Sequence, residues 1–430
     1  MALKAKFSSA VGYSVLWLLF SLVFAIPWIS EISSFFPYWL AWVSIAGSAL
    51  LPGVAMSFVN SSILLDRRPR RKRLFSYPDV TVLVAAYNEE KTIFETLRSI
   101  SSLLYPGNIR VIVCSDGSTD RTSEEVLRFS ESSDMDISLI EMERNSGKAN
   151  ALNRALQDVD TEYVVTLDAD STLHPEAMTR IVETIEERGS SYSAVAGSIL
   201  CENSGDSYMA RMQYWDYALG ISAVKRAQSM YEGTLVAQGA FSIYRSEVLV
   251  SLGGWPDKIG EDIVLSWSML DSGYLIGHSE KAVCWTRVPV GYRDFYKQRR
   301  RWSRGLIEAF RSHPSLLTNG KMYSIFVWYN LMFPYIDLSF MLVFVPGVFA
   351  AFFGFYLLAG KITLMLLPVA FLYGLIMVRT QRKSLEEIGI FLESDSVGYL
   401  MYMLLYQFVM SPSTISGYFS EIFKRKRVWK

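Results

Sequence analysis

The fold is indicated most clearly by the stretch Tyr163-Val164-Val165-Thr166-Leu167-Asp168-Ala169-Asp170. Its β-branched and apolar beginning, Tyr163–Leu167, predicts a buried strand. The two carboxylates that follow are two residues apart, so in an extended chain they project to the same side and can approach one cation or one cation-bound diphosphate. Their hard oxygens suit Mg²⁺ or Mn²⁺. An isolated Asp-x-Asp is common as a helix cap or turn, but its place at the end of a buried strand favours a binding role.

Similar strands precede this stretch, and each is followed by a helix. Strands are predicted at Val80–Ala85, Arg110–Cys114 and Ile137–Ile140, and helices at Glu90–Ser101, Asp120–Phe129, Lys148–Leu156 and Pro175–Glu187. Repeated βα units imply an α/β fold, a mostly parallel sheet covered on both faces, with its ligands at the carboxyl ends of the strands.

Polar segments follow the other strands of this sheet. Ala85–Glu89 and Asp116–Asp120 follow the first and second strands, and together they predict a crevice suited to a base and a ribose. Taken alone, Asp116–Asp120 is only a good helix cap. Asn145–Asn150 opens the third helix with Lys148 in its first turn, where backbone N–H groups and a cation favour an anion such as a diphosphate. A surface loop lysine is the alternative interpretation of Lys148.

Two further motifs lie nearer the C-terminus. Gly260-Glu261-Asp262 begins a helix, where the dipole alone can explain acidic residues, although a carboxylate is also the expected general base for a sugar hydroxyl. Gln298–Trp302 lies on an amphipathic stretch, Tyr292–Phe310. Its arginines fit either anionic lipid headgroups or a diphosphate, and the Trp302 ring offers an apolar face to a sugar.

Composition places this sheet beside a membrane. Of 430 residues, 51% are hydrophobic and 20% charged, and 42 basic residues balance 42 acidic ones. A disordered chain is excluded, and zero net charge argues against a nucleic-acid partner. Cys114, Cys201 and Cys284 match no zinc or disulfide pattern. Five stretches lack charge entirely: Phe7–Ser30, Ile32–Leu65, Leu338–Gly360, Ile362–Val378 and Ser396–Ser420.

The uncharged stretches predict membrane helices on both sides of the catalytic region. The first two read as a transmembrane hairpin and not as a signal peptide, and the basic run Arg67–Arg73 after them favours the cytoplasm. At the other end, Pro334, Asp337 and Pro346 are expected to interrupt the first apolar part. Pro412 is expected to divide Ser396–Ser420, because Arg379–Lys383 and Lys424–Arg427 both favour the cytoplasm. The predicted number of membrane spans in this C-terminal part is two to four.

Taken together, these motifs resemble the processive family 2 glycosyltransferases of the GT-A fold, membrane enzymes that include cellulose, chitin and hyaluronan synthases. Within that family the chain looks most like bacterial poly-β-1,6-N-acetylglucosamine synthases. This subgroup similarity rests on four segments: Gln213–Tyr217, Lys225–Ser229, Gly260–Trp267 and Tyr296–Trp302.

The resemblance implies a role for each motif residue. For the donor nucleotide it implies Ala86, Tyr87, Glu89, Asp116, Lys148, Asp168, Gln298 and Arg301. It implies Asp168 and Asp170 for Mg²⁺ or Mn²⁺, Asp262 as the general base, and Glu261 with Trp302 beside the acceptor. Two departures from the family pattern concern the acceptor side: Gly260 stands where many members have Thr, and Val236–Phe241 lacks a Ser-Gly or Thr-Gly pair.

The resemblance also predicts a domain order and a function. The order is a transmembrane hairpin (1–65), a cytoplasmic GT-A domain (74–291), an interfacial region (292–321) and a C-terminal transmembrane region with a basic tail (322–430). The function is inverting transfer of a sugar, N-acetylglucosamine, from a UDP donor to a growing β-linked polysaccharide, with its translocation across the inner membrane. The expected partners are the lipid bilayer and a small membrane accessory subunit, and no nucleic acid. Open alternatives are a chitin-like or hyaluronan-like synthase, a non-processive lipid glycosyltransferase and an inactive scaffold.

Overall fold

The computed structural model describes residues 2–66 and 72–424. Most of the basic run Arg67–Arg73 and most of Lys424–Arg427 therefore lie outside the described residues. The chain begins with two long apolar helices joined by a short turn. The first is α1 (Leu3–Ser33), and the second consists of α2 (Tyr38–Ile45), a π-helical turn (Ala46–Leu50) and α3 (Leu51–Leu65).

An eight-stranded sheet forms the centre of the molecule, in the order β3-β2-β1-β4-β7-β6-β8-β5. Its strands are β1 (Val80–Ala86), β2 (Ile109–Ser115), β3 (Asp136–Glu141), β4 (Tyr163–Asp168), β5 (Ser171–Leu173), β6 (Tyr192–Cys201), β7 (Phe241–Arg245) and β8 (Leu275–Thr286). The four strands from β3 to β4 run parallel, β7 is antiparallel to both of its neighbours, and β6 is parallel to β8. The predicted α/β GT-A sheet is thus confirmed as a mostly parallel, mixed one.

Helices follow the first strands and cover the sheet. In the catalytic region they are α4 (Ile93–Ser101), α5 (Thr122–Glu131), α6 (Lys148–Leu156), α7 (Ala177–Arg188), α8 (Tyr208–Trp215), α9 (Val224–Met230), α10 (Ser246–Ser251), α11 (Glu261–Asp271) and α12 (Tyr292–Ser312). A π-helical stretch (Asp216–Ala223) joins α8 to α9. The apolar runs of the strands pack between these layers, and Val82, Val84, Val113 and Val165 are completely buried. Over the first four strands, β1 to β4, the order of strands and helices is the one that the βα pattern predicts.

The C-terminal helices are α13 (Ser324–Ser339), a π-helical turn (Phe340–Phe344), α14 (Val345–Phe352), α15 (Lys361–Glu386) and α16 (Ser396–Ile422). The expected interruptions at Pro334 and Asp337 were wrong, because α13 continues through both residues. The break expected at Pro346 is absent as well, since the helix widens into a π turn just before it. A wider turn relieves the contact between the proline ring and the preceding turn.

The break expected at Pro412 is also wrong, because α16 continues through that residue. Proline removes one backbone hydrogen bond of a helix, and hydroxyl side chains around it can compensate with their own. Ser413 Oγ donates to the carbonyl of Met410 at 2.6 Å, and Thr414 Oγ1 donates to that of Ser411 at 3.1 Å. Both hydroxyl groups bind carbonyls of the turn around Pro412, and that turn remains helical.

Among the described residues, three helices are long and apolar enough to cross a membrane by length and composition: Leu3–Ser33, Tyr38–Leu65 and Ser324–Phe352. The hairpin also packs onto the catalytic region. The Phe58 ring lies 5.6 Å from those of Tyr231 and Phe326, and Arg226 pairs with Asp66 at 2.9 Å. The number of spans after the catalytic region stays a prediction.

Candidate active site

The carboxyl ends of β1, β2 and β4 form one edge, where three of the predicted motifs meet. The register pairs Ala86 with Ser115, directly before Asp116, and Ala85 with Asp168. The main chain at Ala86 is held there, because its carbonyl accepts the N–H of Asp116 at 2.8 Å. The strand pairing therefore brings the first carboxylate of each motif to the same edge of the sheet.

The loop after β1 is fixed to the loop after β2 by side-chain contacts. Asn88 has a φ of 58°, a left-handed conformation that asparagine tolerates better than most residues. Its Oδ1 accepts the N–H of Thr119 at 2.8 Å. The N–H of Glu89 donates to Thr122 Oγ1 at 2.8 Å, while Tyr87 stays 42% exposed. The two loops that form the crevice are thus held to each other, and the exposed ring of Tyr87 lies at the rim.

Asp116 is almost fully buried and holds the loop in front of α6. Its two carboxylate oxygens accept the N–H groups of Ser146 at 2.7 Å and Gly147 at 2.8 Å. Gly147 has a φ of 95°, which favours glycine, and it is the N-cap of α6. Asp116 therefore orients the first turn of the helix that carries Lys148.

Lys148 joins the loop Asn145–Asn150 to the carboxylate motif Asp168–Asp170. Its Nζ donates to Asp168 Oδ1 in a close ion pair. Burial lowers the pKa of Lys148, but the carboxylates of Asp168 and Glu261 outweigh it and raise the pKa overall. A Cβ atom at Gly239 would lie 2.6 Å from Nζ. The loop Val236–Phe241 therefore accommodates the lysine because it has a glycine at this position. Lys148 is therefore a protonated group of the site and not a surface lysine.

Asp170 lies near two other carboxylates at this edge, those of Asp168 and Glu89. Burial, and then the charges of Asp168 and Glu89, raise the pKa of Asp170 to about 7. Burial also raises the pKa of Glu89. No group of three potential ligand side chains is present in the described residues, so the candidate set is the carboxylate pair Asp168 and Asp170. Mg²⁺ is commonly held by one or two carboxylates together with substrate phosphates and water, and these residues fit that pattern.

Glu261 and Asp262 stand in the first turn of α11, as predicted. Burial, and then the charge of Asp262, raise the pKa of Glu261 to about 7, against the opposing effects of Lys148 and Arg301. One oxygen of Asp262 accepts the N–H of Ile263 at 2.7 Å, and its side chain is only partly buried. The structure therefore brings Glu89, Lys148, Asp168, Asp170, Glu261, Asp262 and Arg301 into one connected set of charges.

The helix α12 carries the last motif. Arg301 is exposed, Trp302 is 39% exposed, and Gln298 has a buried Oε1 with no hydrogen-bond partner within the described part of the chain. The lipid-headgroup alternative does not fit the other two arginines of the motif. Arg299 is buried among aromatic rings, and Arg300 donates to Ser420 Oγ at 3.0 Å. Both therefore bind protein groups.

A glycine pair seats α12 against the start of α11. A Cβ atom at Gly260 would lie 2.6 Å from the Cα of Gly305. Glu308, one turn further along α12, accepts the N–H groups of Ile259 at 2.8 Å and Gly260 at 3.2 Å through one oxygen. The glycine that departs from the family pattern thus allows close contact between the two helices that carry Asp262 and Trp302.

Sequence reasoning gave no role in this site to several residues that shape it, and it considered Arg299 only as one of the motif arginines that fit lipid headgroups or a diphosphate. The residues without a predicted role are Lys225, Asp216, Gly305 and Glu308. Lys225 is buried, and burial lowers its pKa to about 7 although the charge of Asp262 acts in the opposite direction. The sequence did contain an indication of Lys225, because the pair Lys225-Arg226 supplies the only charged residues of α9. The sequence did not indicate the contacts of Gly305 and Glu308, since their partners lie more than 40 residues away in sequence.

Comparison with known proteins agrees with this geometry. Residues 81–253 match the model "Glycosyl transferase family 2". A poly-beta-1,6-N-acetyl-D-glucosamine synthase of Staphylococcus epidermidis is 32% identical over 272 residues, which are 63% of this chain and 64% of the relative. The synthase of Staphylococcus aureus strain COL is 33% identical over 53% of this chain and 54% of its own length. The chain thus spans between half and two thirds of the curated relatives that it matches.

A solved structure supports the fold over a longer part of the chain. The mannosyltransferase PcManGT from Pyrobaculum calidifontis, in complex with GDP-Man and Mn²⁺, superposes with a TM-score of 0.61 at 20% identity. The match covers 89% of this chain and 99% of that one. The strand order, the edge at which the motifs meet and the family match agree: residues 81–253 of this chain are similar to glycosyl transferase family 2.

Proposed function

We propose that this protein is a membrane-integrated, inverting glycosyltransferase that extends a β-linked polysaccharide with N-acetylglucosamine from a UDP donor. One observation carries the proposal: Lys148 pairs with Asp168, and the charges of Glu261 and Asp262 also raise the pKa of this lysine. A single cation thus connects the donor motifs to the motif expected at the acceptor. The names of the two staphylococcal relatives support N-acetylglucosamine as the sugar and a polysaccharide as the product.

The donor fits the crevice at the edge of the sheet. The proposed uridine site lies between the loop Ala86–Glu89 and Asp116, with Tyr87 at the rim. The diphosphate then reaches the N-terminal turn of α6, where backbone N–H groups and Lys148 favour an anion. Gln298 and Arg301 of α12 are assigned to the donor as well. The buried Oε1 of Gln298, which has no hydrogen-bond partner in the described residues, can accept a hydrogen bond from the nucleotide-sugar.

The chemical step is a direct displacement. Asp262 removes the proton from the acceptor hydroxyl, whose oxygen bonds to the anomeric carbon as the bond to the UDP oxygen breaks. The configuration inverts, and no enzyme nucleophile takes part. Lys148 and Arg301 stabilise the departing diphosphate, a role for fixed charge that is already in place before reaction. Asp168 and Asp170 would hold Mg²⁺ or Mn²⁺, which would neutralise further charge on that diphosphate.

The membrane part belongs to the same proposal. The helices Leu3–Ser33, Tyr38–Leu65 and Ser324–Phe352 would cross the inner membrane and place the catalytic region in the cytoplasm. The helix with Trp302 packs directly on α16, so the acceptor site adjoins the C-terminal helices. We propose that the polymer leaves along these helices. An accessory membrane subunit remains part of the prediction.

The test is UDP release by purified protein with a panel of UDP-sugars, followed by product sizing. UDP-N-acetylglucosamine is expected to give polymer, and Asp262→Asn is expected to lose about 10²–10⁴-fold in turnover while UDP binding persists. Asp257→Asn is the matched control, because this exposed carboxylate lies in the loop before α11.

Each other outcome points to a named alternative. Near-normal turnover of Asp262→Asn would contradict the base assignment. Unchanged metal-dependent UDP binding after replacing Asp168 and Asp170 with Ala would contradict the metal site. Single-sugar lipid products would indicate a non-processive lipid enzyme. An N-acetylglucosamine polymer with another linkage would indicate a chitin-like synthase, and a polymer that also requires a second UDP-sugar would indicate a hyaluronan-like synthase. No UDP release at all would indicate an inactive scaffold.

A further inference from the structure

Arg299 is a buried cation enclosed by aromatic rings. Its side chain is about 5% exposed, and its guanidinium carbon lies 4.1 Å from the centre of the Trp302 ring system. The rings of Phe295 at 5.2 Å and of Tyr217 and Tyr406 at 5.8 Å complete the enclosure. A guanidinium that has lost its water stacks favourably on such ring faces. One face of Trp302 is therefore occupied by Arg299.

One carboxylate balances this charge and connects three parts of the molecule. Asp216 Oδ2 lies 3.0 Å from a terminal nitrogen of Arg299, and it accepts the hydroxyl of Tyr406 at 2.8 Å. Asp216 begins the π-helical stretch of the catalytic region, Arg299 lies on α12, and Tyr406 lies on α16. The ion pair therefore stands where the catalytic region, the motif helix and a C-terminal helix meet.

We propose that Arg299 and Asp216 form a positioning pair that fixes the Trp302 ring, and through it the end of the acceptor chain relative to Asp262. This inference rests on the proposed function. A tryptophan 39% exposed on a helix surface can adopt several side-chain rotamers, and stacking on Arg299 selects one of them. The part of the ring that remains exposed is the surface on which a sugar of the acceptor stacks.

The pair acts on the acceptor and not on the donor. In the described residues, neither Arg299 nor Asp216 shares a hydrogen bond or an ion pair with Lys148 or Asp168. The loss of the pair should therefore leave the donor charges in place and release only the ring. A general structural defect would instead lower donor and acceptor functions together.

The first test is Arg299→Lys, which keeps the charge but loses the planar group that stacks. Initial rates are measured against soluble β-1,6-linked N-acetylglucosamine oligomers as acceptor, and donor hydrolysis is measured without acceptor. We expect the acceptor KM to rise about tenfold or more, as expected for the loss of a desolvated stacking contact, with donor KM and hydrolysis within about twofold of wild type. Arg311→Lys is the control, because Arg311 also joins α12 to α16, through Glu421, but lies far along the helix from Trp302.

A second variant removes both charges at once. Arg299→Met with Asp216→Asn leaves no uncompensated charge in the interior, so it remains interpretable where a single change unfolds the protein. We expect the same rise in acceptor KM together with shorter products. An unchanged acceptor KM, or an equal fall in donor hydrolysis and transfer, would overturn the positioning role alone. A wild-type protein that releases no UDP from any UDP-sugar would overturn the proposed function and this inference with it.

Discussion

Replacing Gly305 with alanine tests the close contact between α11 and α12. Gly305 lies inside α12, where alanine normally stabilises a helix by about 0.5–1 kcal/mol relative to glycine. Here the new Cβ would lie 2.8 Å from the Cα of Gly260 and 3.3 Å from its nitrogen. Ordinary contact between carbon atoms begins near 3.5 Å, so the helices must separate by roughly 0.7 Å.

This separation has two expected consequences. Overpacking of this kind costs about 1–3 kcal/mol, which reverses the sign of the usual helix effect. Since α11 carries Asp262 and α12 carries Gln298, Arg301 and Trp302, the shift also misplaces the two halves of the site. Displacements of about 1 Å reduce enzyme rates by up to 10²-fold. We expect Gly305→Ala to lower both the melting temperature and the rate of UDP release.

Thermal unfolding in detergent and UDP release are measured on the same preparation. Gly291→Ala is the control, because Gly291 is the N-cap of the same helix and a Cβ there meets no atom within 4 Å. A Gly305→Ala protein that melts above wild type with normal turnover would refute the contact, and with it the account of why glycine stands at position 260.

Three further predictions follow from buried groups. Lys225→Met should raise the melting temperature most at pH 7 and below. Because burial lowers the pKa of Lys225 to about 7, the stability of the wild-type protein rises with pH from there to about 10.5, by at most ~1.4 kcal/mol per pH unit. A gain in melting temperature that is equal at pH 7 and pH 10 would contradict this. Burial raises the thiol pKa of Cys114 to about 11 and that of Cys201 to about 12, so mass spectrometry should find neither alkylated by iodoacetamide at pH 8 until the protein is unfolded. Glu308→Gln should lower the free energy of unfolding by about 1–2 kcal/mol and Glu308→Ala by more, because only glutamine keeps an acceptor for the N–H groups of Ile259 and Gly260. Equal unfolding midpoints for the two variants would exclude this role of Glu308.

Local patterns predicted the sheet well because they depend on neighbours in sequence. Helix α6 has the predicted bounds, and the strand predicted at Tyr163–Leu167 ends one residue later, at Asp168. The edge at which Asp116, Asp168 and Lys148 meet also follows from strand order, since parallel strands bring their carboxyl ends together. The donor half of the site could therefore be inferred before the structure.

The acceptor half could not be inferred to the same depth, because its contacts join distant segments. Trp302 was identified from its motif, but the stacking of Arg299 on it and the ion pair with Asp216 need the packing of α12 on the catalytic region. The proline breaks failed for a related reason. A proline rule considers one turn of helix, whereas the helix widens into a π-helical turn before Pro346 and continues through Pro412, where side-chain hydroxyl groups bind its carbonyls.

The position of α12 determines whether the site is complete, and the structure fixes that position from two sides. On the catalytic side, Gly305 and Glu308 hold the helix to the start of α11. On the other side, Arg304 pairs with Glu421 of α16 at 3.1 Å, near the bond from Arg300 to Ser420. The same helix α16 reaches α13, because Thr414 Oγ1 and Tyr418 Oη donate to Asp337 at 2.7 and 3.0 Å. A displacement of the C-terminal helices would therefore be transmitted to Trp302 and Arg301. In the proposed function, a polymer that passes along these helices would act on the site through this connection.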